Sequence, residues 1–439
     1  LEPLGHFRAL RRNTLALFSR LPRVADDAAR MRLAHRELWM LFDPALVRQV
    51  LVDRPELYDK GTRGYRMLRE LLGDGLVTSD GDHWLRQRRI AQPAFHKQSL
   101  ARFAETMGAA AEALAEGWRF AQRPVDVAAA MTALTLRIAG LTLVGEDLTD
   151  ESAEISGAVD VALHQFQRLV QSALPYAARL PTPGNLAFRR ATAALDRVVL
   201  HLIAERRAAA DPGTDLLGMF LSARDPETGE GMTDRQLRDE LITMLLAGHE
   251  TTANALSWTL LLLAQHPDWD ARVADELRDH LDGRTPGMAE ALRLTTLDHV
   301  LAESLRLYPP VWAIARRAVV EHALGPYTPR VGTYLLICPW ASHRHPAYWR
   351  HPDRFDPERF APGSPERPEG DRRYVYLPFS RGRRQCIGDQ FARVEVLIVL
   401  ATLLQRYRFE LVPDHPVELE ATVTLRPRHG LKMRVLPRR

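Results

Sequence analysis

The chain has 439 residues, of which 46% are hydrophobic and 26% charged, a composition typical of a globular protein and not of a disordered or fibrous one. Basic residues outnumber acidic ones by only 59 to 55, so the formal charge of +4 does not favour nucleic-acid binding. Two cysteines are too few for a disulfide framework and indicate a reducing compartment, so we expect a cytoplasmic protein.

Residues 1–23 mix Arg and Pro with short apolar runs, none of which approaches the roughly 18 apolar residues of a membrane span, so no membrane anchor is expected. Ala, Leu and Arg at helical spacing predict several helices over 100–210, interrupted by a Pro-rich turn at 180–184. Short segments rich in β-branched and aromatic residues predict strands at 32–42, 334–338 and 423–435. The fold is therefore predicted to be mainly α with small β-sheets.

The longest predicted helix begins at Thr233, which has the spacing of a capping box with Gln236, and ends before Pro267. Its middle is apolar, but polar residues from His249 to Asn254 interrupt the apolar run. Polar residues in such a position favour a buried central helix over a membrane span.

Cys386 lies in a loop with Gly382 and Gly388, directly before an amphipathic helix. Backbone N–H groups at a helix start and neighbouring Arg side chains lower the pKa of a thiol, which favours a thiolate metal ligand. The two glycines are expected to let the backbone approach a flat cofactor. Cys338, in an apolar strand, is instead predicted to be a buried and inert thiol.

This loop resembles the haem-binding loop of the cytochrome P450 family, Phe-x-x-Gly-x-Arg-x-Cys-x-Gly, at Phe379, Gly382, Arg384, Cys386 and Gly388. The resemblance implies haem b (iron protoporphyrin IX), with Cys386 as the axial thiolate on the iron. It also implies that Phe379 packs near the sulfur and that Arg384 binds a haem propionate. A thiolate ligand donates electron density that favours cleavage of the O–O bond.

A second motif, Ala247-Gly248-His249-Glu250-Thr251-Thr252, lies in the middle of the long predicted helix and resembles the family's oxygen-activation motif. Hydroxyls that bond back to helix carbonyls bend a helix, and with Gly248 they open a groove for oxygen and water. A carboxylate beside a hydroxyl then relays protons, which implies that Glu250 and Thr251 are catalytic, with Ala247 and Gly248 forming the groove. From this motif alone, the alternative is equally favoured, namely a buried cluster of polar residues that only form hydrogen bonds with one another.

Glu303 and Arg306 are three residues apart and so share one face of a predicted helix, where the generic interpretation is a surface ion pair. In the family this Glu-x-x-Arg pair joins the arginine of a Pro-Glu-Arg-Phe motif, which is Arg359 here. The resemblance therefore implies a buried structural triad.

Trp84 and Arg88, one helical turn apart, are similar to the family's propionate-binding pair, and Arg316 matches the arginine after the Glu-x-x-Arg helix. Anionic propionates need such partners. Each residue alone is more often a core tryptophan or a surface arginine, but the order of the motifs along the chain favours the functional interpretation.

The resemblance implies the family's triangular helical prism, as a single catalytic domain over 1–439 without a fused reductase. Haem would lie between the long helix and the helix after Cys386. Six positions match the family's substrate pocket: Val77, Ala247, Val311, Ala313, Val423 and Thr424. Most are apolar, which predicts a hydrophobic substrate such as a terpenoid, fatty acid, carotenoid or polyketide. The resemblance implies that this substrate is hydroxylated or epoxidised with O₂ as the oxidant.

Arg381, Arg383 and Arg384, with Arg86 and Arg89, are expected to form a basic face. Such a face attracts acidic proteins, so we expect electrons from a separate ferredoxin or flavodoxin with its reductase, delivered to a monomer. The alternative is an Arg-rich surface that is merely solvated.

Two other classes share the cysteine loop, namely peroxide-driven peroxygenases or isomerases, and non-catalytic haem sensors or carriers. The Glu250-Thr251 pair favours a monooxygenase over both. A zinc-protease motif would need His at position 253, which is Ala253. His343, His345 and His351 are expected to lie in a solvent-exposed turn, with no assigned role.

Overall fold

A computed structural model describes residue 10 and residues 12–33, 36–120, 122–149, 152–170, 172, 177–209, 211 and 213–438. Part of the predicted anchor-free N-terminal stretch, residues 1–9 and 11, lies outside the described residues, as do Ala34 and His35 of the first predicted strand and Ala210 of the predicted helical region.

The helices of this part of the chain are as follows: α1 (Thr14–Arg20), α2 (Pro44–Arg48), α3 (Arg63–Leu72), α4 (Gly81–Ala91), α5 (Lys97–Gly117), α6 (Val127–Ala139), α7 (Ser152–Val170), α8 (Pro183–Ala208), α9 (Leu216–Ser222), α10 (Asp234–Gln265), α11 (Pro267–Leu281), α12 (Met288–Ala291), α13 (Thr295–Leu307), α14 (Pro339–Ser342) and α15 (Asp389–Arg406). Short π and 3-10 turns, among them Gln49–Asp53, Pro357–Phe360 and Gly382–Arg384, connect some of them.

The strands are β1 (Ala28–Leu33), β2 (Arg36–Leu41), β3 (Tyr58–Asp59), β4 (Val125–Asp126), β5 (Ile314–Ala318), β6 (Tyr334–Ile337), β7 (Tyr407–Leu411), β8 (Leu419–Ala421), β9 (Leu425–Pro427) and β10 (Lys432–Pro437). The mainly helical fold with small sheets is therefore confirmed. The predicted strand over 32–42 corresponds to β1 and β2, and the one over 423–435 is divided between β9 and β10.

Contacts within the chain define two compact units. The first comprises Leu1–Arg63, Asp298–Cys386 and Leu419–Arg426, and the second comprises Gly64–Leu297, Ile387–Glu418 and Pro427–Arg439.

The first unit is built on a five-stranded sheet of order β1-β2-β6-β5-β3, in which β2 and β6 are parallel and the other pairs antiparallel. Side chains alternate between the two faces of a strand, and in β2 Trp39 and Leu41 join one buried cluster while Leu38 and Met40 join another. Because both faces of β2 are covered from Leu38 to Leu41, these four residues are all apolar instead of alternating with polar ones.

The second unit is mostly helical, with a small antiparallel sheet of order β4-β10-β7. Its central helix α10 has 32 residues, and Thr233 and Gln236 form both bonds of the predicted capping box. The local signal was sufficient here because a capping box needs only residues of the same turn.

The window Val127–Val144, which comprises α6 and the turn after it, is long and apolar enough to cross a membrane. However, 61% of this window is buried inside the structure. Such burial is typical of the core helix of a globular protein, so the window is weak support for a membrane span.

Candidate functional site

The two cysteines have opposite environments. Cys338 is fully buried, its thiol donates to the carbonyl of Trp312 over 3.2 Å, and burial raises its pKa to about 12. Cys386 is exposed, and its backbone N–H donates to the carbonyl of Phe379 over 3.0 Å, which closes the loop. Of the two, only the Cys386 sulfur is therefore placed to bind a metal.

Gly382 of the cysteine loop lies against the protein's own backbone. Gly382 has a φ of +75°, and a Cβ there would lie 2.1 Å from the carbonyl oxygen of Leu51. Glycine is required because the loop lies against the backbone of the turn Gln49–Asp53, so the close approach is to protein and not only to a cofactor. Ser380 also has a positive φ, of +59°, a backbone conformation that favours glycine.

The structure brings Glu303, Arg306 and Arg359 together. Arg306 donates to both carboxylate oxygens of Glu303, over 2.6 and 2.8 Å, and Arg359 Nε lies 3.3 Å from Glu303 Oε1. All three side chains are buried, at 2% exposure or less. Burial raises the pKa of Glu303, and the two guanidiniums oppose that rise. The generic interpretation as a surface pair is therefore wrong.

Arg306 also links the triad to distant backbone. Its guanidinium donates to the carbonyls of His343, Pro352 and Arg354 over 2.6 to 3.0 Å. A guanidinium with this many fixed acceptors holds two segments in place, one at His343 and one over 352–354, because its planar fork allows only one arrangement of partners.

Arg316 is only 6% exposed, on strand β5. Within the described residues, the single hydrogen bond of its guanidinium is to the carbonyl of the preceding residue, Ala315, over 2.9 Å. A largely buried guanidinium with donors to spare is suited to an anionic group, as a propionate partner must be.

The two segments that match the family's pocket in the first unit lie side by side. Leu425 N–H donates to the carbonyl of Pro310 over 2.9 Å, and the indole N–H of Trp312 donates to the carbonyl of Thr422 over 3.0 Å. These bonds connect the chain around Val311 and Ala313 to the chain around Val423 and Thr424. Val311 is exposed and Thr424 is buried.

The long helix α10 opens at the predicted oxygen-activation motif. Between Leu241 and Leu263, every residue is buried except Ala247, Gly248, Glu250 and Thr251. Thr251 Oγ1 donates to the carbonyl of Ala247 over 2.5 Å, and a Cβ at Gly248 would meet no atom within 4 Å. The four residues therefore form one accessible stretch with a hydroxyl and a carboxylate.

The other two members of the motif lie inside the second unit. His249 is 2% exposed, and burial lowers its pKa to about 4. Its carbonyl accepts from the hydroxyl of Thr135 on α6, over 3.0 Å. Sequence reasoning missed Thr135, because nothing in the spacing of α6 indicates which carbonyl of another helix its hydroxyl meets.

The loop that carries Val77 is fixed to α10. Asp74 N–H donates to Asp239 Oδ2 over 2.9 Å, and Leu76 N–H donates to Glu240 Oε2 over 3.2 Å. Val77 follows directly and is half-buried. Two buried carboxylates at the start of the long helix therefore position this predicted pocket loop.

On α4, Trp84 is buried and Arg88 is half-buried. The neighbouring Arg86 and Arg89 were expected on the basic docking face, together with the arginines of the cysteine loop. They instead bind Asp225, whose side chain is fully buried, over 3.2 and 3.3 Å. Glu227 and Glu230 add further ion pairs, so this part of the expected face is covered by the chain's own acidic loop.

The expectation of a solvent-exposed histidine turn is wrong for two of its three residues. His343 and His345 are completely buried, and only His351 is exposed. Both buried rings lie against aromatic side chains, His343 with its centroid 5.2 Å from that of Tyr376 and His345 at 5.0 Å from Tyr348.

The family model for cytochrome P450 matches residues 4–433 of the chain. The chain belongs to the cytochrome P450 family. The structure is similar to the crystal structure of the cytochrome P450DA haem domain, with a TM-score of 0.90 and 31% identity, over 100% of this chain and 96% of that one.

Similar curated proteins are also P450 enzymes. Cyclooctatin synthase of Streptomyces melanosporofaciens is 36% identical, with 96% of this chain and 91% of that protein covered. Cyclooctat-9-en-7-ol 5-monooxygenase of the same organism is 36% identical, over 93% and 88%. Pentalenene oxygenase of Streptomyces avermitilis is 33% identical, over 99% and 95%.

This P450 is therefore an oxidoreductase of the monooxygenase class, which binds haem b and uses O₂, a hydrophobic substrate and a redox partner. The residues present fit that cofactor. An exposed thiol at Cys386 is the ligand that the iron of this family requires, and the spare donors of the buried Arg316 suit a propionate.

Proposed function

We propose that this enzyme hydroxylates or epoxidises a cyclic terpenoid. The observation that carries the proposal is the identity of 33–36%, over nearly the whole chain, to enzymes named for cyclooctatin, cyclooctat-9-en-7-ol and pentalenene. The matched pocket positions support it, because Val311, Ala313 and Val423 offer aliphatic surface without charge. Such a lining binds a rigid hydrocarbon mainly by burial of apolar area.

We propose that Cys386 is the axial ligand, with Arg384, Arg316 and Arg88 on the propionates and Trp84 beside them. With this cofactor, RH, O₂, two electrons and two protons give ROH and H₂O. The task of the arginines is electrostatic, since each charge-assisted hydrogen bond to a propionate holds the cofactor in one orientation. Phe379, half-buried at the start of the loop, would pack near the sulfur.

We propose that the accessible stretch of α10 delivers the two protons. The Thr251 hydroxyl donates a hydrogen bond to the Ala247 carbonyl, and its oxygen can still accept a hydrogen bond from a donor such as water. Glu250, half-buried next to it, exchanges protons with solvent. The carboxylate and the hydroxyl together therefore form a relay of the kind that general acid catalysis requires.

Electron supply is proposed to come from a separate ferredoxin or flavodoxin with its reductase, to a monomeric enzyme in the cytoplasm. Arg383, which is exposed on the cysteine loop, supports an acidic partner. The paired Arg86 and Arg89 do not contribute to this argument.

The substrate proposal is tested by titrating the ferric enzyme with pentalenene, cyclooctat-9-en-7-ol, a fatty acid, a carotenoid and a macrolide. We expect spectral shifts of the haem with the cyclic terpenoids at lower concentrations than with the others, and oxygenated products on turnover with a surrogate ferredoxin system. Tighter binding and faster turnover of a fatty acid or macrolide would refute the terpenoid assignment.

The ligand assignment has a matched control, since the chain has one other cysteine. We expect Cys386→Ser to lose the thiolate-type absorption of the reduced carbon monoxide complex, and Cys338→Ser to keep it. If the Cys338 variant lost that absorption and the Cys386 variant kept it, the assignment of Cys386 as the iron ligand would be wrong.

A further inference from the structure

His343 is fully buried between two parts of the first unit that the proposed haem chemistry depends on. Its Nδ1 lies 3.2 Å from the carbonyl oxygen of Arg306, and its Nε2 lies 2.9 Å from the backbone nitrogen of Leu377. Arg306 is the centre of the triad, and Leu377 is two residues before Phe379. One imidazole therefore connects the triad to the start of the cysteine loop.

The backbone partners determine the protonation of the ring. Leu377 N–H can only donate, so Nε2 must be the unprotonated nitrogen that accepts. The Arg306 carbonyl can only accept, so Nδ1 must carry the proton that it donates. Only the neutral Nδ1–H tautomer satisfies both bonds, and a protonated ring would direct a second N–H at an N–H.

The surroundings favour that neutral form. Burial, reinforced by the positive charges of Arg306 and Arg344, lowers the pKa of His343 to about 3. The Arg306 guanidinium also donates to the backbone carbonyl of His343 over 2.7 Å, so the two residues bond each other in both directions. The ring is thus held neutral and in a single position.

Leu377 controls the geometry of the loop that follows. Its carbonyl accepts from Ser380 N–H over 3.2 Å, and Phe379 accepts from Cys386 N–H over 3.0 Å. A displacement of Leu377 would therefore also displace the backbone of Cys386, through the Ser380–Leu377 and Cys386–Phe379 hydrogen bonds.

We infer that His343 is a positioning residue for the cysteine loop, which it fixes to the Glu303–Arg306–Arg359 triad by accepting from Leu377 N–H and donating to the Arg306 carbonyl. The functional consequence is that His343 keeps the Cys386 sulfur in the geometry of an iron ligand, and this consequence rests on the proposed role of Cys386. The hydrogen bonds themselves do not depend on that role.

Two conservative variants separate the two bonds. The amide of Gln reaches the position of Nε2, so His343→Gln can still accept from Leu377. The amide of Asn reaches only the position of Nδ1, so His343→Asn keeps the Arg306 bond and loses the Leu377 bond. His345→Gln is the matched control, because His345 is equally buried in the same turn and bonds Ala347 N–H and the Ala25 carbonyl instead.

Three measurements on the full-length haem protein test the inference. We expect the Leu377 amide to exchange with deuterium about 10-fold faster or more in His343→Asn than in wild type, and to stay protected in His343→Gln and His345→Gln. At equal haem content, His343→Asn should convert from thiolate-type to thiol-type absorption of its reduced carbon monoxide complex at the lowest urea concentration. The imidazole nitrogens of wild-type His343 should show the Nδ1–H tautomer by NMR.

Unchanged Leu377 exchange in His343→Asn, or equal acceleration in His345→Gln, would overturn the inference. If His343→Asn does not fold, the wild-type tautomer decides, since an Nε2–H ring cannot accept from Leu377. If wild type itself shows no thiolate absorption, the assignment of Cys386 fails, and the exchange comparison still tests the bond to Leu377.

Discussion

At the scale of the residue, loss of the buried Glu303 carboxylate should lower the stability of the fold strongly. Glu303→Ala leaves the guanidiniums of Arg306 and Arg359 buried without their shared counter-ion. We expect the free energy of unfolding to fall by about 3–5 kcal/mol and the purified protein to lose most of its haem, and Arg306→Ala to behave alike. Urea unfolding and the ratio of haem to protein check this.

An exposed pair at the same spacing provides the control. Asp275 and Arg278 also lie three residues apart on a helix, with side chains 66% exposed. Asp275→Ala should change the free energy of unfolding by less than about 1 kcal/mol, with normal haem content. Normal haem content in Glu303→Ala would contradict a structural role for the triad.

Residue types and their order predicted the burial of some side chains and not of others. The burial of Cys338 was predicted correctly because it follows the apolar strand β6 directly, whereas Cys386 lies in a polar loop. His343 and His345 were placed in solvent incorrectly, since their burial depends on Tyr376 and Tyr348, which no local spacing connects to them.

At the scale of the element, helix α10 is buried from Leu241 to Leu263 except at Ala247, Gly248, Glu250 and Thr251, the accessible stretch that we propose to be catalytic. Thr251→Ala removes the hydroxyl that this stretch offers as a proton carrier. We expect oxygen and reductant consumption to continue while product formation falls by about 10²-fold, as is typical for the loss of a positioned acid. The ratio of product to reductant consumed measures this coupling.

Thr251→Ser keeps the hydroxyl and should keep the coupling. Undiminished coupling in Thr251→Ala would exclude the proposed relay. Both variants should unfold at nearly the same urea concentration as wild type, because Thr251 is not in the buried core of the helix.

The start of α10 was predictable because both capping residues belong to its first turn. The opening at Ala247 was predicted only as a resemblance, and the contribution of Thr135 was not predicted at all. The hydroxyl of Thr135 meets the carbonyl of His249 only after α6 and α10 have packed together, and the sequence does not show how the two helices align.

For the whole molecule, the buried histidines make stability depend on pH. The folded-state pKa values of His249 and His343, about 4 and about 3, lie below the ordinary value of 6.5. Between these values the unfolded chain binds protons that the folded chain does not, so stability is full above 6.5 and falls as the pH is lowered. Each histidine adds a slope of up to about 1.4 kcal/mol per pH unit.

Urea unfolding from neutral to mildly acidic pH measures that slope. His249→Asn should reduce that slope by up to about 1.4 kcal/mol per pH unit. An unchanged slope in His249→Asn would show that this histidine already accepts a proton in the fold.

The charge distribution over the surface bears on which arginines would guide the acidic redox partner that we propose. Arg89 is committed to Asp225 and Glu227, whereas Arg383 is exposed on the cysteine loop. We expect Arg383→Ala to lower the rate of electron transfer and its dependence on ionic strength, and Arg89→Ala to leave that dependence unchanged. Stopped-flow reduction by a ferredoxin at several salt concentrations measures the rate of electron transfer and its dependence on ionic strength. If Arg89→Ala changed both as much as Arg383→Ala, Arg89 would belong to the docking face.

The contact of Gly382 with Leu51 joins positions more than three hundred residues apart in the chain. During synthesis the turn Gln49–Asp53 leaves the ribosome long before the loop that rests on it has been translated. Contacts of such high sequence separation form late, so porphyrin capture has to follow the emergence of nearly the entire polypeptide. Nascent chains stalled before this glycine should therefore remain free of iron.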